Sequence, residues 1–333
     1  MKLSIHSKRM AFCKYPKIEQ VRRVAEDLCG KHVWVLEKIH GSNGSIVCKL
    51  DGTYQVGKRS GFLAEGEKFC NGFGLAEHYL PNLRRITEEL ITSDSDSVCF
   101  YGEFYGGLYN GETTRNHTKV QRKVDYSPSN EFAVFDIVVT KGDSKEVLSW
   151  NRVKSLCDPI GIPRVPDVCN GSWDEISRTF DVESLRSLVP RTLHGLNDVS
   201  SPACEGVVVR HDSEDNDGWG IRCKWKQSWM DETCEPKKGE KRLNTDKVLE
   251  ALGYMNEPRF ESYLSKVGSE FILDKKNMSE NMREMVDDAI SDIKLYVSID
   301  ERVDGELCDF LRNLRKGLSN KARKLIVGYW NSN

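Results

Sequence analysis

The sequence lacks a long hydrophobic run: nowhere do about 18 apolar residues follow one another, the length needed to span a membrane. Its N-terminal residues carry cations but no apolar segment of the secretory type. It also lacks an excess of charge of either sign, because 49 Lys and Arg are balanced by 51 Asp and Glu. These absences predict an intracellular, cytoplasmic protein with no membrane segment. They also require that any nucleic-acid surface be local.

Regularly spaced cysteines are missing as well. The eleven cysteines are odd in number and scattered, and no two are separated by only two residues. Disulfide frameworks and zinc knuckles depend on regular spacing, so we expect neither. A reducing compartment fits this usage better than a secretory one.

A chain of 333 residues is long enough for two domains. Short apolar or alternating runs bounded by turn residues predict strands, with helical patterns such as "IEQVRRVAEDL" between some of them. This mixture predicts an α+β fold dominated by antiparallel strands. The predicted strands are residues 31–36, 44–50, 53–58, 97–104, 131–140, 203–210 and 219–226.

The pattern changes beyond Thr245, where apolar residues recur every three or four positions and predict amphipathic helices. We therefore expect a first domain at 1–234, a polar linker at 235–245 and a small all-helical domain at 246–333. A charged surface loop is the alternative to the linker. The two apolar stripes are Met282, Met285, Val286, Ala289, Ile290, Ile293 and Val297, then Val303, Leu307, Phe310, Leu311, Leu314 and Leu318.

The stretch "EKIHGSN" places Lys38 between two apolar strands, after "HVWVL" and before "GSIVCKL". An isolated lysine in such a place is usually solvated and inert. Here Gly41 allows a sharp turn and a close approach of the backbone to a ligand. An amine flanked by apolar residues can lose its proton and become a nucleophile.

Attack of an amine on phosphorus also needs cations, carboxylates for a divalent metal and an aromatic face for a base. The predicted strands supply these groups in order. "YGEFYG" contains Glu103, "FAVFDIVV" contains Phe135 and "ACEGVVVR" contains Glu205. "IRCKWKQSW" contains Lys224 and Lys226, which lie two residues apart and so share one face of a strand.

These motifs in this order resemble the covalent nucleotidyltransferase superfamily of ATP-dependent polynucleotide ligases and mRNA capping enzymes. "EKIHGSN", "GKRSGFL" and "VQRKVDYSPSNEFAVFDI" are most similar to the nick-sealing RNA ligase 2 family, which includes phage enzymes and RNA-editing ligases. "LGYMNEPRFESYLSKVG" resembles the start of that family's helical domain. The resemblance implies an ATP-grasp-like ligase fold of antiparallel sheets with flanking helices, followed by a small helical domain.

The resemblance also implies roles for residues near the lysine. Lys38 is the nucleophile that forms lysyl-AMP, and Glu37 and Ile39 lie beside the adenine through backbone or side-chain contacts. Asn43 and Arg59 hold the phosphate and the RNA ends after AMP is loaded. An amide and a guanidinium suit phosphate oxygens chemically.

Glu103 is implied as the ribose contact and Glu205 as the metal-site carboxylate, both in the ATP site. Phe135 is implied to stack on the adenine, although a phenylalanine in such a run is ordinarily part of a core. Lys224 and Lys226 are implied as catalytic cations that also bind ATP.

The last motif leaves an alternative open. The family pair can be read as Arg222 with Lys224 or as Lys224 with Lys226, and the second is preferred because it precedes a polar pair and Trp229. Arg210 stands where many relatives have lysine. The segment 106–120, which holds Arg115, His117 and Lys119, is longer than in compact phage enzymes and is either an RNA contact or a plain surface loop.

The expected function is that of a monomeric ATP-dependent RNA ligase that uses Mg²⁺ or Mn²⁺ and acts on nicked duplex or bridged RNA. The alternatives are a capping guanylyltransferase, a DNA ligase, and a catalytically idle RNA-binding relative. The first two would be expected to carry an OB-fold in place of the helical tail. Near the C-terminus, "LRNLRKGLSNKARKL" has six cations and no acid, which fits either an RNA contact or a solvated helix face.

Overall fold

The computed structural model describes residues 10, 12–114, 117, 119–121, 123–196, 204–212, 218–230, 251–296 and 304–332, without the side chains of 294–296 and 304–313. The chain divides into two compact units, Met1–Lys226 and Gln227–Asn333. The predicted linker at 235–245 lies outside the described residues.

The first unit contains two β-sheets. Sheet 1 has the strand order β1-β11-β10-β2-β9 and sheet 2 the order β5-β4-β3-β6-β7-β8. The strands are β1 Glu19–Gln20, β2 His32–Lys38, β3 Ser42–Cys48, β4 Tyr54–Lys58, β5 Gly61–Phe62, β6 Ser97–Leu108, β7 Ser127–Lys141, β8 Ser144–Val147, β9 Asp167–Ser172, β10 Gly206–His211 and β11 Ile221–Lys226.

The strand pairings within these sheets are antiparallel, apart from the parallel pair of β1 with β11. Each strand expected from the sequence corresponds to a strand of the structure. The expected α+β fold of antiparallel sheets with flanking helices is therefore confirmed.

Helices flank the two sheets. The helix expected in "IEQVRRVAEDL" is wrong in extent, because its second and third residues, Glu19 and Gln20, pair with β11 as a short strand. A four-residue helix and a 3₁₀ turn at Glu26–Leu28 follow. The sequence predictions also missed Gly72–Leu90, a helix that contains Pro81. The helices are α1 Val21–Val24, α2 Gly72–Leu90, α3 Trp150–Cys157, α4 Trp173–Thr179 and α5 Val189–His194.

Apolar side chains pack against one face of each sheet. The outer face of sheet 1 packs into a core that includes Val35, Val207 and Trp173. A second cluster, which includes Tyr15 and Tyr101, lies on the face of sheet 2 that is turned toward sheet 1. The alternation of side chains along a strand therefore separates a packed rear face from a face directed between the sheets.

The second unit is helical in its described part. Its helices are α6 Glu257–Val267, α7 Ser269–Leu273, α8 Met278–Tyr296 and α9 Asp304–Trp330. Members of both predicted apolar stripes, such as Met285 and Leu318, are buried in its core, whereas Val297 and Val303 lie outside the described residues. The expected C-terminal helical region is confirmed. None of the helices examined over the described residues combines the length and apolar character needed to cross a bilayer.

Candidate active site

Lys38 is the last residue of β2, and the register of sheet 1 brings it near a second lysine. Gly206 of β10 lies opposite Lys38 on one side and opposite Lys226 of β11 on the other. Directly paired residues project from the same face of a sheet, so both lysines point to one side across a glycine. Gly206 has a φ of 142°, and a Cβ there would collide with the carbonyl oxygen of Trp225. Only glycine fits where the lysines converge.

The carboxylate of Glu205 lies between these lysines. Nζ of Lys38 donates a hydrogen bond to Oε2 of Glu205 at 2.8 Å, and Nζ of Lys226 lies 2.8 Å from Oε1. Nδ1 of His40 is 3.5 Å from Oε2. Burial by itself would raise the pKa of Glu205, but Lys226, Lys38 and His40 hold it well below its usual value. Glu205 is therefore an anion at neutral pH.

Glu103 supplies a second carboxyl group, from sheet 2. It lies opposite Asn43 in the pairing of β6 with β3, and its Oε1 accepts a hydrogen bond from the backbone nitrogen of Gly41 at 3.1 Å. Burial raises the pKa of Glu103 to about 7, with Lys38 opposing the shift and Glu205 reinforcing it. Near neutral pH this carboxyl group is therefore divided between its protonated and ionised forms, unlike Glu205.

We refer to Lys38, His40, Glu103, Glu205 and Lys226 as the Lys38 cluster. It combines the half-buried amine of Lys38, the anion of Glu205, a carboxyl group that titrates near neutrality and the ammonium group of Lys226. A reaction that develops negative charge on phosphate oxygens needs such cations beside its nucleophile.

Phe135 and Lys224 lie on the facing surfaces of the two sheets. Phe135 occupies an irregularity in the pairing of β6 with β7, is half-buried, and has its ring centroid 5.0 Å from that of Tyr15. Lys224 lies opposite Val208, on the same face of sheet 1 as Lys226, and is also half-buried. An aromatic ring and a further cation thus border the space beyond the Lys38 cluster.

A second charged group crosses between the sheets. Asp136 of β7 accepts hydrogen bonds from Nη1 of Arg210 at 2.7 Å and from Nη2 and Nε of Arg222 at 3.0 and 3.2 Å. The hydroxyl of Tyr15 donates to Asp136 at 2.6 Å, and Nε of Arg210 donates to Asp212 at 2.5 Å. We refer to these five residues as the Asp136 cluster.

The Asp136 cluster lies about 13 Å along β10 from Gly206, since Arg210 is the fourth residue after that glycine. Burial would raise the pKa of Asp136, but Arg210 and Arg222 lower it. In the last sequence motif, Lys226 reaches Glu205 whereas Arg222 is bound to Asp136, which favours the pairing of Lys224 with Lys226. Arg210 is 1% exposed and is likewise bound within the protein.

The family model for RNA ligases matches residues 31–226, a range that contains the whole Lys38 cluster. The chain belongs to the RNA ligase family. The resemblance to RNA ligases found in the sequence is thereby confirmed. No curated protein matches the chain.

Solved structures of a Naegleria gruberi RNA ligase are similar to this family member. One with PPi has a TM-score of 0.44 and 15% identity, and the match covers 69% of this chain and 62% of that one. A mutant with ATP and Mn has a TM-score of 0.44 and 17% identity, with 64% and 54% covered. Another with AMP and Mn has a TM-score of 0.43 and 17% identity, with 66% and 56% covered. The chain thus spans little more than half the length of these solved ligases.

In this RNA ligase family member, Asn43 and Arg59 lie beside Glu103. Asn43 is paired with it across β3 and β6, and Arg59 follows β4 closely enough to lower the pKa of Glu103. Within the part of the chain that the structure describes, the Arg59 guanidinium makes no hydrogen bond or ion pair. The adjacent Lys58 donates to Glu67 at 2.7 Å. Arg59 therefore has its donors available for an added anion, and Lys58 is already paired.

Glu37 and Ile39 flank Lys38, but their side chains are not placed to contact an adenine. The side chain of Glu37 projects from the opposite face of β2 to that of Lys38 and is 1% exposed. Its carboxylate accepts hydrogen bonds from Ser187 and Leu188. Ile39 is 2% exposed. Only the backbone of Glu37 can therefore contact a nucleotide.

Several residues of the site were not singled out from the sequence as functional. His40 contacts Glu205, and its backbone nitrogen donates to the hydroxyl of Tyr126 at 2.8 Å. The carbonyl of Gly41 accepts from Nε2 of Gln121 at 2.9 Å. A Cβ on Gly41 would collide with the carbonyl oxygen of Phe104, so this glycine serves a close approach of two chain segments.

The inserted segment at 106–120 contacts neighbouring residues of the first unit in its described part. Nδ1 of His117 accepts a hydrogen bond from the backbone nitrogen of Asn130 at 2.7 Å. Lys119 donates to Asp125 at 2.7 Å. Arg115 lies outside the described residues. These contacts join the segment to residues 125–130, and both interpretations of the segment, an RNA contact and a plain surface loop, stay predictions.

Proposed function

We propose that this protein is an ATP-dependent RNA ligase that joins RNA 3′-hydroxyl and 5′-phosphate ends through lysyl-AMP and adenylylated RNA. The observation that carries the proposal is the contact of the Lys38 amine with Glu205 at 2.8 Å, with Lys226 on the other carboxylate oxygen, inside a match to the RNA ligase family. Nick sealing in duplex RNA is the finer form of the proposal and depends on the sequence resemblance.

In the first step, Lys38 attacks the α-phosphorus of ATP and pyrophosphate leaves in line with the attack. The amine must lose its proton before it can act as a nucleophile. The incoming phosphates carry negative charge that competes with Glu205 for Lys226. As Lys226 and Lys224 turn to the phosphate oxygens, they stabilise the charge that develops there.

In the next two steps AMP passes to the RNA 5′-phosphate, and the RNA 3′-hydroxyl then attacks that activated phosphate and expels AMP. Both are again in-line displacements that depend on positioning. Asn43 and Arg59 offer an amide and a guanidinium at the rim of the Lys38 cluster, where they suit the RNA phosphate. Phe135 and the backbone beside Lys38 suit the adenine.

The carboxylates also suit a divalent cation. Within the described residues, no group of three or more His, Cys, Asp or Glu side chains could hold a metal ion. Hard cations such as Mg²⁺ are often held by one or two carboxylates together with substrate phosphates, and Glu205 and Glu103 supply that number. Both oxygens of Glu205 contact lysines, so direct binding of a metal there requires one lysine to leave. A bound Mg²⁺ or Mn²⁺ would offset charge on the phosphates.

Labelling with α-phosphate-labelled nucleotide tests the first step. We expect ATP to give an acid-labile protein–AMP adduct and GTP to give little. Efficient labelling by GTP in place of ATP would indicate a capping guanylyltransferase. Absence of labelling by either nucleotide, in a folded protein that binds RNA, would indicate a catalytically idle relative.

Sealing of nicked duplexes tests the substrate. We expect a strong requirement for ribose on the 3′-hydroxyl side of the nick and a weak one on the 5′-phosphate side, because A-form geometry and the 2′-hydroxyl distinguish RNA from DNA. Equal sealing of an all-DNA nick would contradict the RNA assignment and favour a DNA ligase.

We further propose that the second unit binds RNA phosphates through the solvent face of α9. Lys316, Arg323 and Lys324 are exposed on that face and have no ion-pair partner among the described residues. Arg315, on the same helix, is exposed too, but its Nη1 donates to Asp287 at 2.9 Å. Each phosphate contact adds about −0.9 to the logarithmic salt dependence of binding in a DNA duplex, a slope that serves as a guide for RNA.

Arg323 and Arg315 of α9 form a matched pair for this test. Arg323→Ala should weaken RNA binding and flatten its salt dependence, whereas Arg315→Ala should change both less, because its charge is already paired. RNA affinity measured at several salt concentrations reads out both variants. Equal effects, or none, would mean that this face is only solvated.

A further inference from the structure

Glu37 is a buried acid next to the nucleophile, and it faces away from the site. Its side chain is 1% exposed and lies on the rear of sheet 1, while Lys38 projects from the front. In register, Glu37 lies opposite Val207, which belongs to the rear core. The carboxylate therefore does not reach the space where a nucleotide would lie.

Two donors from one short segment hold this carboxylate. The hydroxyl of Ser187 donates to Oε1 of Glu37 at 2.6 Å, and the backbone nitrogen of Leu188 donates to Oε2 at 2.7 Å. Ser187 is itself 7% exposed, and its oxygen also accepts from the backbone nitrogen of Val189 at 3.3 Å. The segment that leads into α5 is thus fastened to the end of β2.

Burial of the Glu37 carboxyl group costs free energy, which indicates a role for this residue beyond packing. No cation pairs with Glu37 among the described residues, and an unpaired buried carboxylate is strongly disfavoured. Burial raises its pKa to about 7, although the hydrogen bonds of Ser187 and Leu188 oppose the rise. A hydrophobic residue would fill this position in the rear core at less cost.

The other side of the nucleophile is also held. The backbone nitrogen of His40 donates to Tyr126, whose ring lies edge-on to that of Tyr105 at 5.7 Å. The hydroxyl of Tyr105 is hydrogen-bonded to Nε2 of His194 at 3.0 Å, and His194 ends α5. The α5 segment therefore supports the chain on both sides of Lys38.

We propose that Glu37 is a positioning residue for Lys38: by gripping Ser187 and Leu188 behind β2, it fixes the strand end from which the nucleophilic amine projects. The proposal rests on the proposed function, in that Lys38 is taken as the nucleophile. An attacking atom has to be held within a narrow range of positions, and a displacement of about 1 Å can lower a rate 10²-fold. Loosening this grip is expected to slow adenylylation without weakening the binding of ATP.

Ser187→Ala is the sharpest test because Ser187 touches Glu37 from behind the sheet. We expect the single-turnover rate constant of lysyl-AMP formation to fall about tenfold, with the ATP concentration for half-saturation changed less than about twofold. Ser187→Thr keeps the hydroxyl and should restore most of the rate. Thermal unfolding of each variant identifies any loss that comes from a smaller folded fraction.

Glu37→Gln tests the same contact from the other side, because the amide keeps only one acceptor oxygen. We expect a similar fall in rate, and the double variant with Ser187→Ala should be no slower than the slower single variant, since both changes act on one interaction. If Ser187→Ala raised half-saturation for ATP, Glu37 would belong to the nucleotide site. If it changed neither quantity, the grip would have no part in positioning.

A second readout keeps this proposal separate from the proposed function. An amine-reactive ester modifies Lys38 at a rate that can be measured by peptide mass spectrometry. This rate reports how firmly the amine is held, even if ATP gives no adduct. We expect Ser187→Ala to raise this rate several-fold relative to Lys58, an internal reference remote from Glu37. Unchanged modification of Lys38 would refute positioning by Glu37, whereas missing adducts in the unmutated protein would refute the ligase assignment alone.

Discussion

The Lys38 cluster and the Asp136 cluster both place charges between the same two sheets, yet they are built from different cations. The Asp136 cluster uses two guanidinium groups, and Arg210 alone donates to Asp136, to Asp212 and to the carbonyls of Phe135 and Leu148. The Lys38 cluster uses two ammonium groups that meet one carboxylate at single points.

This difference corresponds to two kinds of task. A guanidinium stays charged and holds a planar set of donors in a fixed geometry, so the Asp136 cluster is suited to persist. A lysine amine is a compact charge on a flexible chain that can give up its proton, so the Lys38 cluster is suited to rearrange. Lys38 itself remains 21% exposed, whereas the Arg210 side chain is 1% exposed. We therefore expect the Asp136 cluster to hold the two sheets together and the Lys38 cluster to exchange partners during the reaction.

The largest effect is expected from removing the nucleophile. Lys38→Ala should abolish the labelled protein–AMP adduct, because the neighbouring Lys226 amine is held on the other oxygen of Glu205 and does not take the place of Lys38. Lys58→Ala is the matched control, since Lys58 pairs with Glu67 at 2.7 Å and should leave labelling intact. Labelling that survived in the Lys38 variant would place the nucleophile elsewhere and remove the basis of the comparison.

The loss in the free energy of unfolding should be larger for a change in the Asp136 cluster than for one in the Lys38 cluster. Asp136→Asn removes the buried anion that two guanidinium groups share and leaves them only the more exposed Asp212, and we expect a loss of about 3–5 kcal/mol in the free energy of unfolding. Glu205→Gln should cost less, because Lys38, whose side chain is 21% exposed, can turn to solvent and only Lys226 then loses this anion inside the protein. Urea unfolding of both variants provides the measurement. Losses of equal size would show that the two clusters do not differ in this way.

We expect Lys226 and Arg222 to affect different quantities: Lys226 the rate of adenylylation, and Arg222 the free energy of unfolding. Lys226→Ala removes a cation from the Glu205 carboxylate, and we expect adenylylation to slow by about 10²-fold, as when one donor to a developing charge is removed. Arg222→Ala should act chiefly on stability, with adenylylation per folded molecule changed less than about tenfold. A stronger effect of Arg222 on the rate would favour the alternative pairing of Arg222 with Lys224.

Asn43 and Arg59 border the Lys38 cluster without joining its ion pairs, so we expect them to act later in the reaction. Asn43→Ala and Arg59→Ala should still form lysyl-AMP, while sealing of 5′-phosphorylated RNA should fall by about 10–10²-fold as a phosphate contact is lost. Separate assays of adduct formation and of sealing distinguish the steps. A folded variant that formed no adduct would assign the residue to the ATP site.

The smallest effect concerns pH. The folded pKa of Glu103 is raised from 4.5 to about 7, so its contribution to stability is present at low pH and is lost as pH rises through that interval. Glu103→Gln should remove on the order of 1 kcal/mol of this fall between pH 5 and 7. Glu37, which also has a pKa of about 7, should account for a further part.

Asp136 gives the contrasting case for the pH measurement. Its folded pKa is lowered, so its contribution is present above its ordinary value of 3.8 and is lost only as pH falls below that value. Asp136→Asn should therefore leave the slope between pH 5 and 7 unchanged. Unfolding free energies over that range, compared between the two variants, would contradict the assignment if Glu103→Gln left the slope as it was.

Much of this architecture was visible in the sequence because it depends on local pattern. Alternation and turn residues located the strands, and the two-residue spacing of Lys224 and Lys226 placed them on one face, as the register confirms. The apolar stripes of the second unit predicted its buried side chains. These features need only neighbours within one element.

The parts that were missed depend on contacts between distant segments. Tyr15 and Asp136 are 121 residues apart, and nothing in either local pattern predicts their hydrogen bond. The helix predicted at Glu19 gave way to strand pairing with Cys223 for the same reason. A polar residue inside "FAVFDIVV" was the one available signal for Asp136, because a buried acid needs partners. The roles assigned to individual site residues remain predictions.

The segment at 12–20 contacts both sheets, but its partners in those sheets are synthesised much later than the segment itself. Tyr15 reaches Asp136 in sheet 2, and Glu19 pairs with Cys223 in sheet 1. At about 5–20 residues per second, a ribosome makes Arg222 roughly 10–40 s after Tyr15. Until then β1 lacks β11, the strand with which it pairs, and the Asp136 carboxylate lacks its second arginine. During that interval Tyr15 and Asp136 stay exposed to water on the nascent chain. Folding of the first unit therefore depends on the completion of β11, its last strand.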